Sequence, residues 1–313
     1  MKKDNHSQKK TFPYEFEIDI ETRVDHVVAR CPALPGCQAQ GRSAKEALDQ
    51  LKNTIDLYFS TASPSYLETL ETFNGIPIFY ALAEFKGRLF AATGKDKVYV
   101  SSTGTSGSWK SHPVTKSDTK FFTPDAGSSE EGDYATQIYC LTAYGTPGKE
   151  KALFAGTNLN GSIYYTADGE NWKESFATGE DRIHVLCEFK NRLYAGTSSQ
   201  GKIYAYDGLH WNAVANLSEA AVTVLGVFKN KLYVGTYPSG LIFCTDDGLN
   251  WEEIASTGQS FIQCFSEFNG YLYAGTSGAK GVKIFRTSNG RDWVTVYDSG
   301  REMNCYCLEV FEN

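Results

Sequence analysis

The sequence predicts a mainly β protein, in which a small α+β module of pattern β-β-β-α precedes a β-propeller of five or six four-stranded blades. Three observations carry this. A phrase of about 40 residues recurs along the chain, Asp-Gly or Asn-Gly stands at the same place in most copies, and residues 14–59 follow another periodicity.

The repeat is read from its punctuation. Residues 184–213 (HVLCEFKNRLYAGTSSQGKIYAYDGLHWNA) return almost unchanged at 223–253, 262–295 and 139–173, and more weakly at 79–109. Trp172, Trp211, Trp251 and Trp293 lie 39, 40 and 42 positions apart; Thr157, Thr197, Thr236 and Thr276 lie 40, 39 and 40 apart. Helical repeats of that length are excluded by β-branched and aromatic runs broken by Gly every few residues.

Each unit reads as four strands. Strand a is VLCEF-like and strand b LYAGT-like; strand c is KIYAY-like and strand d begins at the Trp. The c–d connections are Asp168-Gly169, Asp207-Gly208, Asp247-Gly248 and Asn289-Gly290, suited to the positive φ of tight hairpins. The Gly of each LYAGT segment is expected to mark close approach of the next blade. Residues 305–313 restate strand a and its turn, so they either help to close a five-bladed ring or open a sixth blade.

These turns resemble the Asp-box of sialidase-like propellers, Ser-x-Asp-x-Gly-x-Thr-Trp. The Asp here stands four residues before the Trp instead of five, and position 165 is Tyr where the box has Ser. Asp168, Asp207, Asp247 and Asn289 are therefore read with Trp172, Trp211, Trp251 and Trp293 as structural repeat residues. The resemblance also raises a glycoside hydrolase as an alternative. Its early Arg-Ile-Pro signature is absent, Gly75-Ile76-Pro77 lacking the arginine, and Arg182 and Arg301 make no triad. Arg88 and Arg192 open b strands near the opposite rim.

Residues 14–59 read as strands over Tyr14–Ile20, Val24–Arg30 and Gln38–Gly41, with a turn at Leu34-Pro35-Gly36-Cys37. Ser43 is the expected N-cap of a helix, with Glu46 completing a capping box. Ala47, Leu48, Leu51, Ile55, Tyr58 and Phe59 share one helical face. Pro32-x-Leu34-Pro35-Gly36-Cys37, Gly41-x-Ser43 and Glu46-Ala47-Leu48 resemble the HicB-like antitoxin fold. That resemblance implies a protein partner, a HicA-like ribonuclease toxin in that family, and homo-oligomerisation. In that family a separate C-terminal segment binds operator DNA; a propeller stands in its place here, so DNA binding does not carry over. The expected organisation is a disordered tail over 1–12, the HicB-like module over 13–62, a connector over 63–77 and the propeller over 78–313.

Composition narrows function. A net charge of −7 is the wrong sign for a nucleic-acid footprint, and no apolar run reaches the roughly 20 residues of a bilayer span. No secretory signal is visible behind MKKDNHSQKK, so a cytoplasmic setting is expected. The eight cysteines sit mostly singly in apolar runs and are expected reduced; no metal or cofactor motif is found. The reading is of a non-catalytic binding or scaffold protein. Its unknown ligand is expected at the propeller mouth, among the b–c and d–a loops: Asn158, Asn160, Arg182, Ser198, Ser199, Gln200, Tyr237, Ser277 and Arg301. The long segment 111–137, with Asp125, Glu130, Glu131 and Asp133, is read as a solvated loop, with a lid over the channel as the alternative.

Overall fold

The computed structural model describes residues 18–23, 25–31, 38–61, 79–105, 107–115, 136–158, 160–279, 281–302 and 304–310. The chain forms two compact units, 1–70 and 71–313. The Leu34–Cys37 turn, the 63–77 connector, the terminal tail and most of segment 111–137 lie outside the described residues, as do the side chains of Tyr58 and Phe59.

In the first unit, β1 (Asp19–Thr22), β2 (Val27–Arg30) and β3 (Gln38–Gly41) form an antiparallel sheet in that order, followed by α1 (Ala44–Thr61). Ser43 caps the helix: its Oγ accepts the Glu46 amide at 3.2 Å. The Glu46 carboxylate accepts the amide of Arg42 at 2.8 Å, one residue before the cap itself. A Cβ on Gly41 would stand 2.4 Å from the Ala47 nitrogen, so only glycine lets the helix start pack on the end of β3. Val27, Ala29, Cys31, Ala47 and Leu51 form the core, with Ile18, Ala39 and Ile55 against it. Leu48, expected on the buried face, is exposed.

The second unit is five antiparallel four-stranded blades. Blade one is β4 (Phe79–Phe85), β5 (Arg88–Thr93), β6 (Lys97–Ser101) and β7 (Lys110–Pro113); blade two is β8 (Ile138–Tyr144), β9 (Ala152–Thr157), β10 (Ser162–Thr166) and β11 (Lys173–Ala177). Blade three is β12 (Ile183–Phe189), β13 (Arg192–Thr197), β14 (Lys202–Tyr206) and β15 (Trp211–Asn216). Blade four is β16 (Ala221–Phe228), β17 (Lys231–Tyr237), β18 (Leu241–Thr245) and β19 (Glu252–Ser256). Blade five is β20 (Phe261–Phe268), β21 (Tyr271–Ser277), β22 (Lys283–Thr287) and β23 (Val294–Asp298). Strands pair in sequence order within each blade, and the a strands adjoin in the series β4, β8, β12, β16, β20.

Successive blades interlock through apolar faces. Tyr144 and Phe154 of blade two pack with Ile183, Leu186 and Trp211 of blade three, and the same set recurs at the next two junctions. The glycines of the b strands are where blades come closest. A Cβ on Gly156, Gly196 or Gly235 would lie 2.4–2.6 Å from Ile183, Val222 or Ile262 of the next blade. Cys305 stands in the same relation to Gly275 of blade five, at 2.7 Å, and Ser277 bridges to Asn304. Segment 304–310 therefore docks on blade five as a sixth a strand would.

The c–d turns of blades two to five are each built around one side-chain oxygen, of an Asp in three and of Asn289 in the last. Asp168 Oδ1 accepts the Thr166 hydroxyl and the amides of Glu170 and Asn171, each at 2.8 Å, while Oδ2 accepts Asn171 Nδ2. Asp247 repeats this with Thr245, Leu249 and Asn250, and Asn289 does so with Thr287, Arg291 and Asp292. The hydroxyl of this turn stands at Thr166, not at position 165. In blade three Tyr206 takes the register of Thr166 and Asp207 follows it directly, keeping only the amides of Leu209 and His210. The glycine of each turn rests on the preceding blade: Gly248 against Tyr194, Gly290 against Tyr233. Cations clasp the same junctions, Arg88 to the Asp168 carbonyl, Lys190 to that of Asp246 and Lys229 to that of Ser288.

Among the described residues the outer faces of the first and last blades are left partly uncovered. Leu141, Leu186 and Leu225 are 6–8% exposed where each meets the preceding blade; Leu82, at the same position in blade one, is 66% exposed. Phe85, Phe189 and Phe228 are 1–3% exposed against the following blade, whereas Phe268 of blade five is 45% exposed. Phe268, Tyr273, Ile284, Val296, Leu308 and Val310 line a groove of about 340 Å³ on that last face, with Ser266 and Glu309 at its edge.

Two outcomes follow. Leu186→Ala should cost about 2–5 kcal/mol in urea unfolding, because it empties a blade junction, and Leu82→Ala no more than about 0.5 kcal/mol; equal costs would mean that Leu82 is covered. The hydrogen bonds from Asn171 and the turn amides hold the Asp168 carboxyl well below the usual carboxylate range, and those around Asp247 do the same there. Their contribution is complete above about pH 4, the unfolded-state value, and is lost as pH falls towards the depressed folded value. Asp168→Asn with Asp247→Asn should flatten the fall of stability below about pH 4, as followed by circular dichroism.

Candidate functional site

Antiparallel pairing puts the b–c and d–a loops at one end of every blade and the Asp turns at the other. At the loop end, the buried Thr of each b strand ties its own loop. Thr157, Thr197, Thr236 and Thr276 donate to the carbonyls of Ser162, Lys202, Leu241 and Lys283.

The residue after each of these threonines reaches the next blade. Asn158 bridges to Arg182 and Ser198 to Ala221; the Tyr237 ring stacks on Phe261 at 4.1 Å; Ser277 bridges to Asn304. Asn158 Oδ1 also accepts the Gln137 amide at 2.7 Å, and Ser277 is buried. Four of the sequence candidates thus occupy one equivalent position and link blades. Asn160 and Ser199 hold positive φ in the b–c loops, where Ser199 Oγ accepts the Asp181 amide, and Gln200 is exposed beside them. Arg301 lies in an exposed loop, its amide donating to Ser299 Oγ.

The structure adds side chains that periodicity did not single out. Every a strand carries a β-bulge at the same place, where two of its residues face one residue of strand b. The extra residue is Tyr80, Tyr139, His184, Thr223 or Gln263 in blades one to five. A bulge bends its strand and re-aims the side chain, a device common beside binding sites. Three of the five meet: Tyr80 and Tyr139 have ring centroids 4.4 Å apart, and the His184 ring stands edge-on to Tyr139 at 6.2 Å. The Arg182 guanidinium covers the Tyr139 ring at 4.4 Å. The signal available in the sequence was a polar or aromatic residue breaking an otherwise apolar run one place after its first Ile or Val.

Burial raises the Tyr139 phenol to about 12, partly opposed by Arg182, so the phenol is neutral and donates to Gln137 Oε1 at 2.5 Å. Burial, aided by Arg182, lowers His184 to about 4, so the imidazole is neutral at pH 7. Glu180 is buried and accepts Lys202 Nζ at 2.8 Å. Among the described residues no group of His, Cys, Asp and Glu is placed to hold a metal ion, and no helix is long and apolar enough to cross a membrane. Those cysteines that are described are all free thiols.

His184 should therefore titrate near pH 4 by proton NMR, and Arg182→Gln should move its midpoint up, towards the ordinary 6.5. Because the folded value lies below the unfolded one, its contribution to stability is complete above 6.5 and is lost as pH falls towards 4.

The family model described as the DUF6242 beta propeller domain matches residues 136–264, which span the whole of blades two to four and the start of blade five. No curated protein matches the chain. Among solved structures, a catalytically inactive virginiamycin B lyase from Staphylococcus aureus with quinupristin aligns at 13% identity and a TM-score of 0.54, over 72% of this chain and 71% of that one. A streptogramin B lyase aligns at 14% identity and 0.53, over 73% and 71%. A chain of a nidogen/laminin complex aligns at 10% identity and 0.50, over 92% and 95%. At such identities the likeness is one of fold, and the fold of the repeat region is a β-propeller.

Proposed function

We propose that the propeller is a non-catalytic binding module whose ligand sits at the loop end of the blades, against the residues of the a-strand bulges. The observation that carries this reading is the recurrence of one bulge in five blades, with Tyr80, Tyr139 and His184 in mutual contact. Aromatic faces and a neutral imidazole suit stacking and hydrogen bonding more than proton transfer.

The carboxylates argue the same way against a glycosidase, which needs two across one bond. Asp168, Asp207 and Asp247 are occupied in turns at the far end, and Glu180 is held by Lys202. The streptogramin and virginiamycin B lyases share the fold and are enzymes, but fold alone does not transfer an activity.

The β-β-β-α module fits the second half of the reading, a protein contact of the HicB-like kind. Its edge strand β1 is exposed at every residue, an open ladder that another chain can extend. A HicA-like toxin is the narrower form of that reading, with pairing of two copies the other.

Full-length protein incubated with 4-methylumbelliferyl glycosides, a sialoside included, is expected to release no fluorophore at steady state. Aromatic fragments screened by saturation-transfer NMR should give binders that are lost in Tyr139→Ala while its urea midpoint stays on the folded side. Steady turnover, or binders indifferent to that substitution, would sink the reading.

A further inference from the structure

Arg182 departs from the repeat. Its equivalents by register are Gln137, Ala221, Phe261 and Asn304, none of which carries a charge; Ala221 and Asn304 bridge and Phe261 stacks on the preceding blade. A charge placed at one of several equivalent junctions is not needed to hold the junction together, since the other junctions form without it.

The surroundings of Arg182 define what is missing. Its guanidinium carbon lies over the Tyr139 ring, 4.4 Å from the centroid, and its Nε is buried without a hydrogen-bond partner. Among the described residues no carboxylate pairs with it: Glu180 is bound to Lys202, and Asp181 next to it is exposed and forms no ion pair. His184 and Tyr139 are neutral at pH 7, so Arg182 is the charged group among the side chains that meet the Tyr139 ring. A half-buried cation acts through a lower effective dielectric than one in open water, and a planar fork held by an aromatic face is pre-oriented for a two-oxygen acceptor. Tyr80 packs on the same Tyr139 ring and is itself partly exposed, which leaves aromatic surface next to the fork.

Resting on the binding reading above, we infer that the loop end recognises a carboxylate attached to an aromatic ring, the carboxylate pairing with Arg182 and the ring packing against Tyr80 at the edge of Tyr139. Arginine supplies the charge and the direction; the tyrosines supply contact area.

Benzoate, benzamide and benzylamine serve as probes of matched shape and different charge, titrated into the full chain and followed by saturation-transfer NMR and calorimetry. Benzoate should bind at least about tenfold more tightly than benzamide, weaken as salt is raised, and lose that advantage in Arg182→Gln. Arg182→Lys should keep part of the preference without the fork geometry. The inference is overturned if benzoate does not bind at millimolar concentration, or if Arg182→Gln leaves its affinity unchanged. It is also overturned if benzoate and benzamide bind alike. In that last case loss of both in Tyr139→Ala would leave the broader binding reading standing, so the two failures are separable.

Discussion

The propeller depends on one close approach, repeated between successive blades. At three of the four junctions the first apolar residue of the inner strand occupies space that a side chain on the preceding b strand would fill: Ile183 lies over Gly156, Val222 over Gly196 and Ile262 over Gly235, while the first junction has Ala92 in the glycine's place. Cores are close-packed and do not absorb an inserted methyl group without shifts. The glycine therefore sets blade separation, and the separation brings neighbouring a strands side by side. Everything at the loop end, including the bridges from Asn158 and Ser198, is a consequence of that spacing.

The two ends of a blade do different work. At the turn end, Asp carboxylates satisfy amides of their own hairpins while Arg88, Lys190 and Lys229 reach across to the next blade's turn. Several weak polar contacts there add to apolar burial without contributing an exposed reactive group. At the loop end, the ladder is interrupted by bulges and the side chains vary from blade to blade. Stability and variability are thus separated along the length of each strand, the arrangement expected where a repeat scaffold carries a site.

Much of this was legible in the sequence. The near-40 spacing of Trp and Gly-Thr fixed the blades, and Gln38–Gly41, the Ser43 cap and the b-strand glycines fell where pattern placed them. The bulged residues were not, because Tyr139 and His184 sit inside runs that read as continuous buried strand; only the pairing register shows them to be extra. Arg182 was found as a charge near the mouth, but its partner Tyr139 belongs to another blade, a contact that spacing along the chain cannot encode. The hydroxyl of the Asp turn was misplaced by one residue, since Thr166 closes β10 and reads as an ordinary strand residue. Asn158, Ser198, Tyr237 and Ser277 looked like free loop groups because an inter-blade bridge leaves no local mark.

The bulged position also bears on how such a chain can diversify. A residue that stands outside the hydrogen-bonded register contributes no rung to its sheet, so exchanging it leaves the ladder on either side intact. Thr223 and Gln263 already occupy it alongside two tyrosines and a histidine within a single molecule. Recognition can drift at these five places independently of folding, and copies of one blade sequence can be tuned separately. Descendants of this repeat could thus keep an unaltered framework while their specificities diverge.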